Sequence, residues 1–479
     1  MKNQLNTPLF NVLKKFADKE PLSLHVPGHK NGTIFPDKAL DYYSSILSID
    51  LTELTGLDDL HAPNEAIAEA ESMASEWFNA AHTFFLVGGS TVGNLAMILA
   101  TCAQNEKVIV QRNSHKSIFN GIELSGAWPI FVAPTYDENV RRYTAPSTKD
   151  LIAAIVNNPD AKVLVLTYPD YFGHTYELDE IIEIAHKHQI TVLVDEAHGV
   201  HFSVDKEMFP KSALDMGADI VVQSAHKMAP AMTMAAFLHV NASFLKKERI
   251  AHYLQILQSS SPSYPLMASL DVARSFLATR TKEDIVSIKS SIRKMRYIFS
   301  KSDVWDLIPI KNSVDDPLKI VLHVKQGYTT KSIATIFESE GIFAELRTDS
   351  QLLFIHGFQA FNQWERLERA VEKVTSRLIF SAKHDTIETK HNLFPEVITT
   401  LAYSYLEMPN KQTEFIEWAS SVGKVTAEAV IPYPPGIPVL VRGEKITEEH
   451  LETIDYLLEK QTNFQHLNIR KGVTVFKGE

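Results

Sequence analysis

The chain has 479 residues, a formal net charge of −11, 45% hydrophobic residues and no block of like charges. This balance is typical of a globular protein of two or three domains and argues against nucleic acid as a partner. Its apolar runs fall short of the ~18 residues of a membrane helix. With one cysteine, Cys102, and no visible signal peptide, we expect a cytoplasmic protein.

Residues 1–30 are predicted to form an N-terminal arm that starts with an amphipathic helix over Pro8 to Phe16. The arm ends in the turn Pro27-Gly28-His29-Lys30. Its histidines lack the spacing of zinc ligands, so a structural or substrate-edge loop is favoured and no metal is expected.

A second turn contains Asp58 and Asp59 and leads into a helix predicted from Glu65 to Asn79. The paired aspartates could cap that helix, be simply solvated, or face a cationic substrate. Capping or solvation is the favoured interpretation, because aspartates before a helix commonly serve its first turn.

From about residue 83 to 240 the pattern alternates strand and helix, which predicts α/β architecture with a mostly parallel seven-stranded sheet. Most of the strands are apolar on both faces, as expected of buried parallel strands. The predicted strands are Thr83–Val87, Val108–Gln111, Ile130–Ala133, Val163–Thr167, Thr191–Asp195, Ile220–Ser224 and Ala236–Val240.

Two of these strands are followed or closed by residues whose side chains could take part in catalysis. Asp195 closes one, and Lys227 follows another after Ser224-Ala225-His226. A desolvated lysine can act as an amine nucleophile toward an aldehyde, and an aspartate can keep a pyridine nitrogen protonated. The pair therefore suggests a site for pyridoxal phosphate (PLP), with Lys227 holding the cofactor as a Schiff base.

The first strand leads into Gly88-Gly89-Ser90-Thr91 and then a helix. Glycines, hydroxyls and a helix N-terminus together suit a phosphate, although the turn could also be an ordinary helix cap. His115, after the second strand, could stack on a flat ring or merely start a helix. Ala197 is small enough to let a ring lie against the strand.

Beyond residue 280 the pattern changes to β-α-β-β-α, which suits a small α+β domain. Its strands are predicted at Leu318–Val324, Phe343–Leu346 and Leu352–Ile355, with helices at Thr330–Glu340 and Gln363–Ile379. Ser381 to Asn392 is predicted to be a linker, and Ile431 to Gly436 is too proline-rich for regular structure. Glu444 has no assigned role. We expect four parts: an arm at 1–30, a large PLP-binding domain at 31–280, a small domain at 281–385 and a C-terminal domain at 386–479.

Seven motifs follow one another along the chain: Pro27-Gly28-His29-Lys30, Gly56-Leu57-Asp58-Asp59-Leu60-His61, Gly89-Ser90-Thr91, Arg112-Asn113-Ser114-His115-Lys116-Ser117, Asp195-Glu196-Ala197-His198-Gly199, Ser224-Ala225-His226-Lys227 and Tyr433-Pro434-Pro435-Gly436-Ile437-Pro438. In this order they resemble the motifs of the bacterial ornithine/lysine/arginine decarboxylases of PLP-dependent fold type I. The resemblance is strongest to a short branch of that family without a wing domain.

The resemblance implies a role for each matching position. Lys227 would be the Schiff-base lysine, Asp195 the partner of the pyridinium, and His115 would stack on the ring opposite Ala197. The phosphate would bind Ser90, Thr91, Ser224 and His226, and His198 belongs to the cofactor-binding set. The resemblance also implies a homodimer or higher oligomer with shared active sites, in which Ser260 is our choice for reaching the neighbouring subunit's phosphate.

We therefore expect a PLP-dependent decarboxylase of a basic amino acid, with Lys227 or His226 delivering a proton to Cα. Arginine, giving agmatine, is favoured over lysine and ornithine, and the expected context is polyamine biosynthesis. Asp58, Asp59 and Glu345 are the acidic candidates for the substrate's cationic tail. The alternatives are an aminotransferase or aldolase on the same scaffold, or a non-catalytic PLP-binding regulator.

Overall fold

The computed structural model describes residues 2–241, 247–311, 314–378, 394, 396–433, 436–460 and 462–478. The linker predicted at Ser381 to Asn392 lies outside these residues, as do Pro434 and Pro435. Within the described ranges, no helix is long and apolar enough to cross a membrane.

Each helix predicted with residue bounds is present, including the first helix of the arm and the helix after the paired aspartates, and the predicted end at Ile379 lies outside the described residues. The helices are α1 Pro8–Ala17, α2 Asp37–Leu47, α3 Ala66–Phe78, α4 Gly89–Thr101, α5 Lys116–Ser125, α6 Thr148–Asn157, α7 Asp179–Lys187, α8 Ala225–Met228, α9 Lys247–Leu257, α10 Tyr264–Ala278, α11 Lys282–Phe299, α12 Thr330–Ser339, α13 Trp364–Arg377 and α14 Glu448–Glu459.

All seven strands predicted between residues 83 and 240 are present, with ends shifted by at most two residues. The strands are β1 His82–Leu86, β2 Lys107–Gln111, β3 Trp128–Val132, β4 Tyr136–Asp137, β5 Arg142–Tyr143, β6 Val163–Thr167, β7 Thr191–Asp195, β8 Ile220–Gln223, β9 Ala236–Val240, β10 Trp305–Leu307, β11 Lys319–Val324, β12 Leu346–Arg347, β13 Gln351–Ile355, β14 Ile398–Thr400, β15 Thr413–Ile416, β16 Val425–Thr426 and β17 Val473–Phe476.

The chain divides into two compact units. The first comprises Met1–Cys102, Leu178–Lys206 and Lys211–Arg280, and the second comprises Ala103–Glu177, Glu207–Pro210 and Thr281–Glu479. Both are assembled from separate stretches of chain.

In the first unit the strand order is β1-β9-β8-β7, with β7 parallel to β8 and β9 antiparallel to both of its neighbours. Helix α4 lies against these strands. Its Gly93 allows the close approach, because a Cβ there would lie 2.7 Å from Leu86 and 2.9 Å from Val222. The N-terminal turn of α4 is thereby fixed beside the ends of the strands.

The second unit contains the strands β6-β2-β3-β14, in which β2 is parallel to β6 and β3, and β14 is antiparallel to β3. It also holds a four-stranded antiparallel sheet of order β10-β11-β13-β12, whose apolar cluster includes residues of α11, α12 and α13. A three-stranded sheet, β15-β17-β16, has its own smaller cluster with residues of α14.

One predicted strand begins in the wrong place. The pattern predicted a strand from Phe343 to Leu346, but β12 starts only at Leu346. The preceding turn at Gly341 has a positive φ of 68°, and Phe343 is 73% exposed. The apolar residues 342–344 therefore belong to the segment that follows this turn. Pairing of β12 with β13 begins only at Leu346, which lies opposite Leu353.

Candidate active site

The strand ends of the first unit bring most of the predicted site residues together. Asp195 is the last residue of β7. Ser224 follows β8, and Lys227 lies on the short helix α8. Because parallel strands expose their carboxyl ends at one edge, these residues share the edge where α/β enzymes bind ligands.

The carboxylate of Asp195 is 3% exposed and accepts two hydrogen bonds from neutral groups. Asn94 Nδ2 donates to Oδ2 at 2.9 Å, and the backbone N–H of Ala197 donates to Oδ1 at 3.2 Å. A buried carboxylate in such a setting is well placed to stabilise a cation, such as a protonated pyridine nitrogen.

Sequence reasoning missed Asn94. The signal in the sequence was a single amide side chain within an otherwise apolar helix. Asn94 is 1% exposed, and a polar side chain buried to this extent requires a hydrogen-bond partner. Because α4 packs closely at Gly93, the next residue reaches the end of β7.

The N-terminus of α4 forms a cradle for an anion. Gly89 has a positive φ of 74°, and the hydroxyl of Ser224 donates to Ser90 Oγ at 2.7 Å. Ser90 and Thr91 occupy the first turn of the helix, whose dipole and N–H groups favour a phosphate. Of the cradle's backbone donors, Gly89 N–H bonds to the carbonyl of Met234 at 2.8 Å.

The amine of Lys227 lies 3.2 Å from His198 Nε2, and His198 is 6% exposed. His226 Nδ1 lies 3.2 Å from the carbonyl oxygen of Ala235. Burial lowers the pKa of His226, the bond to Ala235 opposes this, and the charge of Lys227 lowers it further. The net effect favours the neutral imidazole, in which Nδ1 donates to that carbonyl.

These residues fit PLP. A buried carboxylate, an amine and a helix N-terminus with two adjoining hydroxyls match the pyridine nitrogen, the aldehyde and the phosphate of the cofactor. All of them belong to the first unit.

His115 lies in the second unit, at the N-cap of α5. Its Nδ1 accepts the backbone N–H of Ser117 at 3.3 Å and lies 2.8 Å from Ser117 Oγ. The helix-start role weighed for this residue is therefore confirmed, while stacking on a ring stays a prediction.

Ser260 is exposed between α9 and α10. The two preceding residues are fixed: Gln258 accepts the backbone N–H of Val87 at 2.8 Å, and the carbonyl of Ser259 lies 2.9 Å from His61 Nε2. Its reach toward a neighbouring subunit stays a prediction.

A buried polar chain lies behind the strand ends. Gln223 Nε2 donates to Glu196 at 2.5 Å, while Gln223 Oε1 lies 3.0 Å from His239 Nε2. His239 Nδ1 in turn lies 2.9 Å from the hydroxyl of Thr83. Burial raises the pKa of Glu196 to about 8, although the hydrogen bond from Ala213 N–H lowers it. These hydrogen bonds link the residue after β7 to β8, β9 and β1.

The structure confirms the capping interpretation for Asp58. Its carboxylate accepts backbone N–H bonds from five residues at 2.8–3.3 Å, namely Asp59, Asn64, Glu65, Ile67 and Ala68. Asp58 therefore serves the first turn of α3. Among the other acidic candidates, Asp59 accepts the N–H of His61, and Glu345 accepts the hydroxyl of Tyr171.

Replacing Asp58 with alanine is expected to lower the free energy of unfolding by about 1–2 kcal/mol, because α3 loses its cap. Burial raises the pKa of Asp58, but the backbone hydrogen bonds outweigh it and hold the pKa below its usual 3.8. Wild-type protein should keep this contribution above about pH 4 and lose it as the pH falls through the lowered folded-state pKa. Urea unfolding at several pH values measures the effect. Asp41→Ala, on the exposed face of α2, is the control, and equal stabilities of both variants at pH 7 would contradict the prediction.

No group of three or more potential metal ligands is found among the residues that the structure describes. His29, in the Pro-Gly turn, instead lies 3.2 Å from Asp50.

Comparison with known proteins identifies the class of the fold. Lysine decarboxylase A from Pseudomonas aeruginosa superposes with a TM-score of 0.83 at 19% identity, over 99% of this chain and 81% of that one. Serine palmitoyltransferase from S. paucimobilis with bound PLP superposes at 0.52 and 17% identity, over 71% and 81%. The chain thus has the α/β fold of the PLP-dependent fold type I enzymes.

Sequence comparison gives the family. The model of the Orn/Lys/Arg decarboxylase major domain matches residues 7–314, and that of the family's C-terminal domain matches residues 384–467. Two Bacillus subtilis proteins are similar along their length. The uncharacterized protein YaaO is 41% identical over 96% of both chains, and an arginine decarboxylase is 36% identical over 94% of both. The chain belongs to the Orn/Lys/Arg decarboxylase family and is a PLP-dependent amino acid decarboxylase.

Proposed function

We propose that this enzyme decarboxylates arginine to agmatine, with PLP held covalently by Lys227. The observation that carries the proposal is that α4 bonds to Asp195 through Asn94 and to Ser224 through Ser90, and that Lys227 follows Ser224 in the same unit. The similarity to an arginine decarboxylase supports arginine over lysine and ornithine.

When bound, PLP supplies an electron sink for the electron pair of the breaking bond between Cα and the carboxylate. Asp195 would keep the ring nitrogen protonated, and its two neutral hydrogen-bond donors fix the carboxylate for that purpose. Ser90, Thr91, Ser224 and His226 would bind the phosphate. Ala197 and His115 would face the ring, and His198 would adjoin the attachment point.

The proton delivered to Cα would come from Lys227 or His226. Lys227 gains support from its neighbour, since His198 Nε2 lies 3.2 Å from the amine and can exchange a proton with it. His226 is disfavoured as an acid near neutral pH, because its lowered pKa keeps the imidazole neutral.

We further propose a cytoplasmic homodimer with shared active sites, Ser260 contacting the neighbouring phosphate, and a role in polyamine biosynthesis. The proposed division is an arm at 1–30, a PLP-binding domain at 31–280, a small domain at 281–385 and a C-terminal domain at 386–479. Analytical ultracentrifugation tests the dimer. A Ser260→Ala variant with lower PLP affinity would support the shared site, and one with unchanged affinity would contradict that residue's role.

The substrate is tested by incubating the holoenzyme separately with arginine, lysine and ornithine and identifying each amine by mass spectrometry. The highest kcat/KM is expected for arginine, because the chain is 36% identical to an arginine decarboxylase from Bacillus subtilis. A clear preference for lysine or ornithine would overturn the choice of arginine alone. Carbonyl products without release of CO2 would instead indicate an aminotransferase or aldolase.

A further inference from the structure

A buried ion pair joins two distant parts of the second unit. Arg112 Nε donates to Glu444 Oε1 at 2.8 Å, and Nη2 donates to Oε2 at 2.7 Å. Two further donations reach the carbonyls of Pro438 at 2.9 Å and Val439 at 3.0 Å. Arg112 is 3% exposed and Glu444 is 7% exposed. The guanidinium thus donates four hydrogen bonds to one segment, residues 438–444.

The pair of Arg112 and Glu444 determines where this segment docks more than it adds to the stability of the fold. Glu444 Oε2 also accepts the backbone N–H of Val441 at 2.7 Å, so the carboxylate folds its own loop as well as binding Arg112. The guanidinium lies 5.7 Å and 5.5 Å from the ring centroids of Phe119 and Phe131. A buried ion pair adds little net stability over apolar packing, but its bidentate geometry specifies where the segment docks.

The same stretch of chain contacts His115. The backbone N–H of Lys116 donates to the carbonyl of Gly436 at 3.0 Å. Gly436 has a φ of 89°, and a Cβ there would lie 3.3 Å from both Cδ2 and Nε2 of the His115 ring. On the opposite edge, His115 Nδ1 lies 2.8 Å from Ser117 Oγ. The imidazole therefore lies between its own helix turn and Gly436.

We propose that Arg112 and Glu444 form a clamp that positions His115 by fixing the segment that ends against its ring. The pair would then be positioning residues for decarboxylation. The clamp rests on the proposed role of His115 beside the cofactor. Without one partner, a buried charge is left uncompensated and the segment from Gly436 to Glu444 must shift to hydrate it.

The test is a double-mutant cycle on the holoenzyme with Glu444→Gln and His115→Ala. Glu444→Gln alone is expected to lower kcat/KM by about 10²-fold, the effect of misplacing a group by about 1 Å. In the His115→Ala background it should cause little further loss, because the clamp acts through the missing ring. The visible circular dichroism of bound PLP should change in Glu444→Gln toward the spectrum of His115→Ala.

The matched control is Glu123→Gln. It removes the ion pair that Glu123 forms with Arg442 at 2.5 Å, which ties the same segment to α5 at a partly exposed site. Its kcat/KM should stay within about twofold of wild type, as for exposed pairs generally. If Glu444→Gln does not fold, Gly436→Ala replaces it. That variant keeps the clamp, crowds the ring directly and should show the same coupling to His115.

Equal losses from Glu444→Gln with and without His115 would overturn the clamp, as would wild-type turnover in Glu444→Gln. Wild-type turnover in His115→Ala would overturn it too, while leaving the decarboxylase intact. Absence of decarboxylation by the wild-type holoenzyme would refute the proposed function alone, because the dichroism of bound PLP still reports on the clamp.

Discussion

The Lys227→Ala variant is expected to lose decarboxylase activity by at least about 10³-fold, because it removes both the covalent attachment of PLP and a candidate proton donor. Lys227 lies on α8, directly after the strand end that carries Ser224, and its amine adjoins His198. Borohydride reduction of the holoenzyme and peptide mapping should place the pyridoxyl group on Lys227.

Lys211→Ala is the matched control, because this half-exposed lysine of the same unit forms an ion pair with Asp179, a carboxylate that is also half-exposed. It should keep wild-type activity and labelling. A pyridoxyl label on any other lysine, or a Lys227→Ala variant with near-normal turnover, would contradict the assignment of the cofactor's attachment point.

The strands of the fold were predictable because burial leaves a simple trace in the sequence. Short runs such as Val163–Thr167 and Thr191–Asp195 are apolar on both faces, and the structure shows them with those bounds. The failure at Phe343 arose where apolar residues leave a turn. Local composition records hydrophobicity there, whereas a strand also requires a partner with free backbone groups.

The site was predictable where chemistry and strand ends coincide, as for Asp195, Ser224 and Lys227. Contacts between distant segments leave no local trace. Asn94 was missed because its partner is 101 positions away, and Glu444 stayed unassigned because Arg112 is 332 positions away. Asp58 shows the limit of motif reasoning, since the sequence of the acidic pair does not reveal the backbone N–H groups of α3 that Asp58 accepts.

The Asp195→Asn variant is expected to bind PLP more weakly and to lose about 10³-fold in kcat, the scale of a removed electrostatic stabiliser. A charged hydrogen bond of this kind contributes about 1.5–3 kcal/mol to binding, while its larger effect falls on the transition state. The new amide would also turn one donor toward Asn94 or the N–H of Ala197, both of which already donate. Steady-state kinetics and PLP titration separate the two effects.

Two companion variants sharpen this prediction. Asn94→Ala removes the amide that donates to Asp195 and leaves the charge of the carboxylate, so its kcat should fall by only about tenfold. Asp219→Asn alters another buried aspartate of the first unit, which accepts the backbone N–H of Val192 at 2.8 Å. That control should reduce stability and leave kcat near wild type, because Asp219 precedes β8 and Ser224 follows it. Near-normal turnover in Asp195→Asn would mean that another residue keeps the pyridine nitrogen protonated. If Asp219→Asn lost as much kcat as Asp195→Asn, the rate would depend on buried charge in general and not on the carboxylate at the end of β7.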